Sequence, residues 1–258
     1  MDRGSLSLRA VSLTYGSGAK QVLALDKVSF DVRANEFTVV VGPSGCGKSS
    51  LLYLAAGLIE TTHGEIHASG HLVAGPGADR GMVFQSYTLF PWLTARANVE
   101  YGLRRKGMLA SERLNIVDRY LAEIGLAAFA DHYPKQLSGG MMQRVAIARA
   151  LANDPDTLLM DEPFGALDSQ TRHSMQKLLL RVWEHSHKTV VFVTHDIDEA
   201  ILLGDRVIVM TARPGRIKAN IAVKIERPRN PEIVMEPEFI GLKRQIMGEL
   251  RDEIDENV

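Results

Sequence analysis

Residues 5–34 alternate between apolar and polar positions. In the segment KVSFDVR, for example, Val28, Phe30 and Val32 fall on one face of an extended chain, and the polar residues between them fall on the other. Successive side chains of a strand point to opposite faces, so this pattern is typical of an antiparallel sheet with one solvated side. The N-terminal part of the chain is therefore predicted to form an antiparallel β subdomain.

Three later segments are apolar without alternation: FTVVVG at 37–42, DTLLMD at 156–161 and KTVVFVTH at 188–195. Each is followed by polar or glycine-rich residues and then by apolar residues at helical spacing. Strands of a parallel sheet are covered on both faces and read in this way. The sequence thus predicts an α/β fold with a mainly parallel central sheet.

The stretch 93–154 has little strand signal and reads as mostly helical, so we predict an α-helical subdomain inserted into the sheet core. After residue 205 the pattern favours a β-hairpin that turns at Pro214-Gly215, followed by a C-terminal packing helix. No repeat or long linker divides the chain. We therefore expect a single domain over 5–255.

Charge and composition narrow the function classes. The 30 basic and 31 acidic residues nearly cancel, so the chain has no net positive field to attract nucleic acid. The N-terminal residues lack the apolar core of a signal peptide. A single cysteine, Cys46, excludes an internal disulfide and fits a reducing compartment. We expect a cytoplasmic protein with no nucleic-acid partner, whose phosphate ligands are held locally.

The segment GPSGCGKSS, directly after the first apolar strand, matches the phosphate-loop pattern G-x-x-x-x-G-K-[ST]. Glycines let backbone N–H groups wrap the phosphates, Lys48 reaches the outer phosphates, and Ser49 offers a hydroxyl to Mg²⁺. A helical pattern follows, as this loop requires. The predicted nucleotide-binding loop consists of Gly42, Pro43, Ser44, Gly45, Cys46, Gly47, Lys48, Ser49 and Ser50.

The other two apolar strands also end in chemically distinctive residues. The second ends in Asp161-Glu162, and the third ends in His195. Ligands of open α/β sheets bind outside the carboxyl ends of the strands. Asp161 is then placed to hold Mg²⁺, Glu162 to orient or deprotonate a water, and His195 to reach the terminal phosphate or that water.

A second anion site is predicted far from the phosphate loop. Ser138, Gly139 and Gly140 open a helical pattern, and the N–H groups at a helix N-terminus bind anions. Met141 and Met142 follow directly.

Together these motifs resemble the ATP-binding-cassette (ABC) ATPases, over nearly the whole chain. The resemblance implies that Tyr15 stacks on adenine, that Gln85 in VFQSY contacts Mg²⁺ and water, and that LSGG at 137–140 is the signature motif. It also identifies GALD, with Asp168, as the loop after the acidic strand and His195 as the switch histidine. Met141 departs from the family pattern, which most often has Gln at this position.

The resemblance further implies a mechanism and partners. Two cassettes pack head to tail, so the signature helix of one, through Ser138, Gly139 and Gly140, caps the nucleotide held by the other. ATP and Mg²⁺ are the expected cofactors. A second copy of the chain, separate transmembrane permease subunits and, indirectly, an extracellular or periplasmic solute-binding protein are the expected partners, at the cytoplasmic face of the membrane.

Within the family, GPGADRGMVFQ at 75–85, LFPW, and the C-terminal ARPGRI and ERPRNPE segments resemble importers of taurine, aliphatic sulfonates and nitrate. The expected function is therefore ATP hydrolysis that drives import of a small solute. The alternative is an ABC-type ATPase, or a nucleotide-gated module, that acts without a transporter. A nucleotide-gated module should lack the base, whereas Glu162 is present.

Two other features need separate interpretations. His63, His67 and His71 recur every four residues, but the neighbouring residues favour strands and turns, where that spacing spans ~13 Å and prevents shared metal ligation. The aromatic segment SYTLFPWLT at 86–94 admits two compatible interpretations, packing of the helical subdomain or a groove for a helix of a partner protein.

Overall fold

The computed structural model describes residues 2–186 and 188–255. Three strands come first, and the later strands and helices follow one another singly or in groups of two or three. The strands are β1 (Leu6–Tyr15), β2 (Val22–Val32), β3 (Phe37–Val41), β4 (His63–Ala68), β5 (His71–Leu72), β6 (Arg80–Val83), β7 (Thr157–Asp161), β8 (Thr189–Val193), β9 (Arg206–Met210) and β10 (Ile217–Ala222). The helices are α1 (Lys48–Ala56), α2 (Ala95–Arg105), α3 (Ala110–Glu123), α4 (Gly139–Ala152), α5 (Ser169–Ser186), α6 (Ile197–Leu203) and α7 (Pro237–Asp255).

The central sheet has the strand order β10-β9-β3-β8-β7-β6. All neighbouring pairs are parallel except β9 and β10, which are antiparallel. Every residue of β3, β7 and β8 is buried, as expected for strands covered on both faces. The predicted α/β class with a mainly parallel sheet is confirmed, and each of the three predicted strands is found within two residues of its expected ends.

A second sheet, in the order β2-β1-β4-β5, is antiparallel throughout. Val28, Phe30 and Val32 are buried, whereas the residues between them face solvent, so the predicted antiparallel subdomain is also confirmed. The three spaced histidines lie on β4 and β5, as the strand interpretation required. Helix α1 fills the space between the two sheets, where Leu51 and Leu52 share a core with residues of both.

Helices α2, α3 and α4 lie within 93–154, the stretch predicted to be helical. Their apolar faces meet in a core of their own, which includes Val99, Val117, Leu121 and Val145. Helix α4 also contributes Ile147 and Leu151 to the core of the central sheet. One helix thus anchors this group of helices to the sheet.

The C-terminal segment is tied to the sheet by a buried arginine. Arg229 donates to the carbonyl oxygens of Ile201 and Ile225, both at 2.9 Å, and also to that of Gly204. Burial lowers its pKa to about 10, so the guanidinium is still a cation at neutral pH. A cation beside the last carbonyls of α6 is favourable because the helix dipole is negative there. Arg229 therefore links the chain after β10 to the end of α6.

The hairpin β9–β10 turns between Met210 and Ile217, around Pro214-Gly215 as predicted. The C-terminal helix α7 packs against the protein, since its residues Phe239 and Ile246 are fully buried. Within residues 2–186 and 188–255, no helix has the length and apolar character needed to cross a bilayer.

Candidate functional site

Four predicted site segments leave the same edge of the central sheet. The phosphate loop follows β3, Asp161 is the last residue of β7, and Gln85 and His195 each come two residues after the strands β6 and β8. These four strands are consecutive neighbours and run parallel, so their carboxyl ends meet. The structure therefore brings the phosphate loop and the predicted catalytic residues together, as the strand ends indicated.

The phosphate loop bends back on its own lysine. Lys48 begins α1 and is buried, and its Nζ donates to the carbonyl oxygens of Gly42 at 2.9 Å and Pro43 at 3.0 Å. Gly47 has a φ of 95°, and a Cβ there would lie 2.6 Å from the Leu25 side chain. Cys46 is fully buried, and burial raises the pKa of its thiol, which fits a packing role rather than that of a nucleophile.

Asp161 has one satisfied carboxylate oxygen and one free one. The Ser49 hydroxyl donates to Oδ1 at 2.9 Å, whereas Oδ2 is buried and has no hydrogen-bond partner among the described residues. Burial raises the pKa of Asp161, against the opposing effect of the bond from Ser49. An unpartnered buried oxygen beside a hydroxyl is the donor set that a hard divalent cation prefers, so these residues fit Mg²⁺.

The sequence analysis did not identify Tyr53, on α1, as a neighbour of Asp161 and Ser49. Its side chain lies close to Asp161 without a hydrogen bond to the unpartnered Oδ2, and burial together with that carboxylate raises the pKa of the phenol. Tyr53 lies five residues after Lys48 in a run of apolar residues, KSSLLYLAA. Its side chain also borders a cavity of about 450 Å³ that Gln85 lines, so the acidic strand end and Gln85 are close to one aromatic ring.

Glu162 and His195 pair across two strand ends. Glu162 has a φ of 39°, in the left-handed region, and its N–H donates to the Val193 carbonyl at 3.0 Å. Its Oε2 lies 3.0 Å from Nδ1 of His195. Strained backbone of this kind persists only where the surrounding structure fixes it. The carboxylate is 19% exposed and the imidazole 60%, so both can meet a ligand at the edge of the sheet.

Tyr15 ends β1 beside the phosphate loop. Its hydroxyl lies 3.0 Å from Oγ of Ser50, the last residue of the predicted loop, and its side chain is 44% exposed. An exposed aromatic ring at this point is available for stacking on a base, and the adenine-stacking role of Tyr15 stays a prediction.

The second anion site lies elsewhere in the chain. Ser138 caps α4, and its hydroxyl accepts from the N–H of Met141 at 3.3 Å. A Cβ on Gly140 would lie 2.6 Å from the Thr171 side chain, which places this helix end against the start of α5. Among the described residues, no hydrogen bond joins 138–140 to the phosphate loop. The structure does not bring the two anion sites of one chain together.

Asp168 lies close to this second site. Its carboxylate accepts from the N–H of Thr171 at 3.0 Å, and that bond lowers its pKa. The side chain is exposed. The side chain of Met141 packs, partly buried, against the core of α2, α3 and α4. The helix end therefore keeps its backbone donors although Met stands at position 141.

The substitution Asp161→Asn is expected to stabilise the protein without nucleotide. It removes a buried charge that has only part of its hydrogen bonds, and a gain of about 1 kcal/mol corresponds to a rise in Tm of roughly 2–4 °C. Because the pKa of Asp161 is raised, the gain shrinks as the pH falls and the native carboxylate takes up a proton.

Thermal melts with and without Mg²⁺ and ATP check this expectation. In the presence of ATP, added Mg²⁺ raises the Tm of the unaltered protein and leaves that of the variant unchanged. Asp131→Asn, at an 87% exposed side chain, is the matched control and leaves the Tm unaltered. A lower Tm for Asp161→Asn without nucleotide contradicts the assignment of Asp161 as an undersatisfied buried charge.

A family model described as ABC transporter matches residues 25–165. An uncharacterized ABC transporter ATP-binding protein of Methanocaldococcus jannaschii is 50% identical over 98% of this chain and 94% of its own length. The nitrate import ATP-binding protein of Synechocystis sp. is 47% identical, with 89% of each chain covered. The taurine import ATP-binding protein of Jannaschia sp. is 44% identical over 96% of this chain and 94% of that protein.

Solved structures agree with these relatives. A dimeric ATP-binding cassette in a post-hydrolysis state, bound to ADP and phosphate, superposes with a TM-score of 0.76 at 38% identity. The match covers 86% of this chain and all of that one. With the phosphate loop and the acidic strand end at one edge of the sheet, these matches establish that the chain belongs to the ABC transporter family, as an ATP-binding cassette that hydrolyses ATP.

Proposed function

We propose that this cassette is the ATPase subunit of a membrane importer for a small solute, such as a sulfonate, taurine or a nitrate-like anion. Two relatives that match along nearly the whole chain carry the names of nitrate and taurine import proteins, which supports the proposal. The transmembrane path would belong to separate permease subunits at whose cytoplasmic face this chain binds. A solute-binding protein on the other side of the membrane would deliver the anion.

The cluster at the sheet edge supports a division of roles. Backbone N–H groups of 42–50 wrap the phosphates, and Lys48 leaves its loop carbonyls to meet the outer ones. Ser49, Asp161 and Gln85 would hold Mg²⁺, which neutralises phosphate charge when bound. Tyr15 stacks on adenine.

Glu162 orients a water for attack on the terminal phosphate and takes its proton. His195 holds that carboxylate through Nδ1, 3.0 Å away, and its exposed ring reaches towards the phosphate. The hydrogen bond between the two side chains is the single observation that carries this assignment, because it joins residues 33 positions apart at the edge where the nucleotide binds.

The signature helix serves a second copy of the chain. Gly140 lies against Thr171 at the start of α5 and Gly139 lies against the Tyr87 hydroxyl, so this helix end is away from its own phosphate loop, and its N–H groups would meet a partner's nucleotide. Asp168, exposed beside them, faces the same seam. The dimeric cassettes among the solved structures support a homodimer. In the proposed dimer, each nucleotide lies between one chain's phosphate loop and the other chain's helix.

The substitution Glu162→Gln is expected to retain ATP binding and to lower hydrolysis at least ~10²-fold, because a positioned base contributes about that much. ATP then holds the chain as a stable dimer, visible by size-exclusion chromatography with multi-angle light scattering. Exposed Glu65→Gln is the control and stays active. Normal turnover by Glu162→Gln removes this residue from its proposed role.

A groove of about 600 Å³ between β6, α2 and α4 fits a helix of the permease. Its aromatic wall is Phe90, whose ring lies 4.5 Å from that of Tyr101. Buried Asn98 fixes the segment around Phe90, accepting from its N–H at 2.8 Å and donating to its carbonyl at 3.2 Å. Arg149 donates to the Thr88 carbonyl at 2.8 Å and closes the other end.

Both interpretations of the segment 86–94 therefore have structural support. Phe90 packs against the helices, whereas Trp92, whose ring lies 5.6 Å from that of Phe90, is 70% exposed. Apolar side chains held on a fixed loop beside a groove suit the amphipathic face of a partner helix. This surface is the proposed contact with the transporter.

The substitution Tyr101→Asp tests the groove, since a carboxylate there opposes burial by an apolar helix. The variant is expected to hydrolyse ATP alone at a normal rate, but to lose co-purification with the permease and ATP-driven uptake in vesicles. Leu114→Asp, on α3 and equally exposed, keeps all three activities. Full uptake by Tyr101→Asp shows that the permease contacts another surface.

A further inference from the structure

Two loops at the catalytic edge are joined by one arginine that the proposed catalytic roles do not use. Arg172, in the first turn of α5, donates from Nη2 to the carbonyl of Leu167 at 3.2 Å. Its Nη1 donates to Oδ2 of Asp196 at 3.4 Å. Leu167 immediately precedes Asp168, and Asp196 immediately follows His195. One guanidinium therefore spans the loops that leave β7 and β8.

A buried glutamate stands behind this arginine. Glu199 is 4% exposed, and its Oε1 forms an ion pair with Nε of Arg172 at 3.8 Å, without a hydrogen bond to that nitrogen. The Thr194 hydroxyl donates to Oε2 at 2.7 Å and the Gln176 amide donates to Oε1 at 3.2 Å. Burial raises the pKa of Glu199, and both hydrogen bonds oppose that rise. The partners of this carboxylate come from α5 and from the loop after β8, and a buried carboxylate is costly unless such partners are in place.

The same residues fix the backbone on both sides of His195. Thr194 precedes it, and its Oγ1, besides donating to Glu199, accepts from the N–H of Asp196 at 3.0 Å. The other carboxylate oxygen of Asp196 accepts from the N–H groups of Asp198 and Glu199, at 2.9 and 3.1 Å. His195 thus projects from a turn whose two neighbours are held, although its own ring is exposed.

Helix capping alone does not account for this arrangement. A cap explains the bonds that Asp196 accepts from the first turn of α6, and it would form without Arg172. It does not explain why Arg172 reaches from α5 to both Asp196 and the Leu167 carbonyl. Helix α6 has another ion pair, between Asp198 and Lys243 of α7, at 2.7 Å. This pair does not involve the loop of Asp168.

We propose that Arg172, which forms an ion pair with Glu199, is a positioning residue that fixes the loop of Asp168 relative to His195. This inference rests on the proposed roles of His195 and of Asp168 at the dimer seam. The loop that meets the partner and the loop that meets the terminal phosphate then move as one unit. Arg172 acts through these loops and touches no nucleotide, so its loss affects the rate of hydrolysis and not the affinity for ATP.

The test compares Arg172→Gln, Arg172→Lys and Glu199→Gln in the full chain. Misplacing a catalytic group by about 1 Å can lower a rate by up to ~10²-fold, so we expect Arg172→Gln to lower kcat about tenfold or more. The KM for ATP stays within about twofold, because binding and positioning are separable contributions. Arg172→Lys recovers part of kcat, since a cation still reaches Asp196 or Leu167. Arg181→Gln, an exposed position on the same helix, leaves both parameters unchanged.

A double-mutant cycle shows whether the two side chains act as a unit. The pair Arg172→Gln with Glu199→Gln is expected to lose no more kcat than Arg172→Gln alone, as interacting residues give non-additive effects. The proposal is overturned if Arg172→Gln leaves kcat unchanged, or if it raises the KM for ATP by as large a factor as it lowers kcat. It is also overturned if the losses of kcat in Arg172→Gln and Glu199→Gln add fully in the double variant. If Arg172→Gln does not fold, the cycle with Arg172→Lys gives the same decision.

His195→Ala separates this inference from the proposed function. Normal turnover by His195→Ala contradicts the role of the histidine itself. Impaired turnover by His195→Ala together with normal turnover by Arg172→Gln contradicts only the positioning role. In the His195→Ala background, adding Arg172→Gln is expected to have a smaller effect on kcat than in the unaltered chain.

Discussion

Parallel pairing of β3, β8, β7 and β6 makes four chain segments leave one sheet at the same edge. A parallel sheet is buried on both faces, so polar side chains with chemical roles are confined to the strand ends. The phosphate loop, Asp161, His195 and Gln85 all occupy this edge. Helices next to the sheet support this edge. Helix α1 lies between the two sheets, α5 follows the loop after β7, and α6 follows the loop after β8.

Several charged side chains are buried at or just behind this edge. Lys48 is buried against its own loop carbonyls, Asp161 has an oxygen without a partner, and Glu199 lies under the histidine turn. The three groups differ in how far the protein itself satisfies them. Lys48 and Asp161 are proposed to gain partners when nucleotide and metal bind, whereas Glu199 already has its partners inside the protein. In this proposal the first two belong to the ligand site, and the third supports it.

Much of this could be predicted from the sequence because the relevant signals are local. Strand burial shows as apolar runs, and the phosphate loop shows as closely spaced glycines before Lys48, so the fold class, the phosphate loop, Asp161 and His195 could be predicted from the residues alone. Gln85 was predicted only through the family resemblance. Contacts between distant segments have no such signal. The approach of Tyr53 to Asp161, and the link from Arg172 to Asp196, depend on how separate elements pack. Arg172 and Glu199 read as ordinary helix surface residues until α5 and α6 are placed together.

The role proposed for the second anion site involves a second chain. Within one chain, Ser138 caps α4, and among the described residues it makes no hydrogen bond to the phosphate loop, so we propose that its helix end completes a site in a partner chain. This is the central proposal, because it would explain why one cassette carries two anion sites and why the proposed activity would need two copies.

Mixed dimers test the claim directly. A chain with Lys48→Ala lacks the phosphate-loop cation, and one with Ser138→Arg has a blocked signature helix, so each variant alone is expected to be inactive. A dimer of one with the other, isolated through two affinity tags, contains one site with both Lys48 and Ser138 intact. Turnover up to about half that of the unaltered dimer is predicted, since one of two symmetric sites remains. A mixed dimer as inactive as its parents would contradict completion of the site by the partner chain.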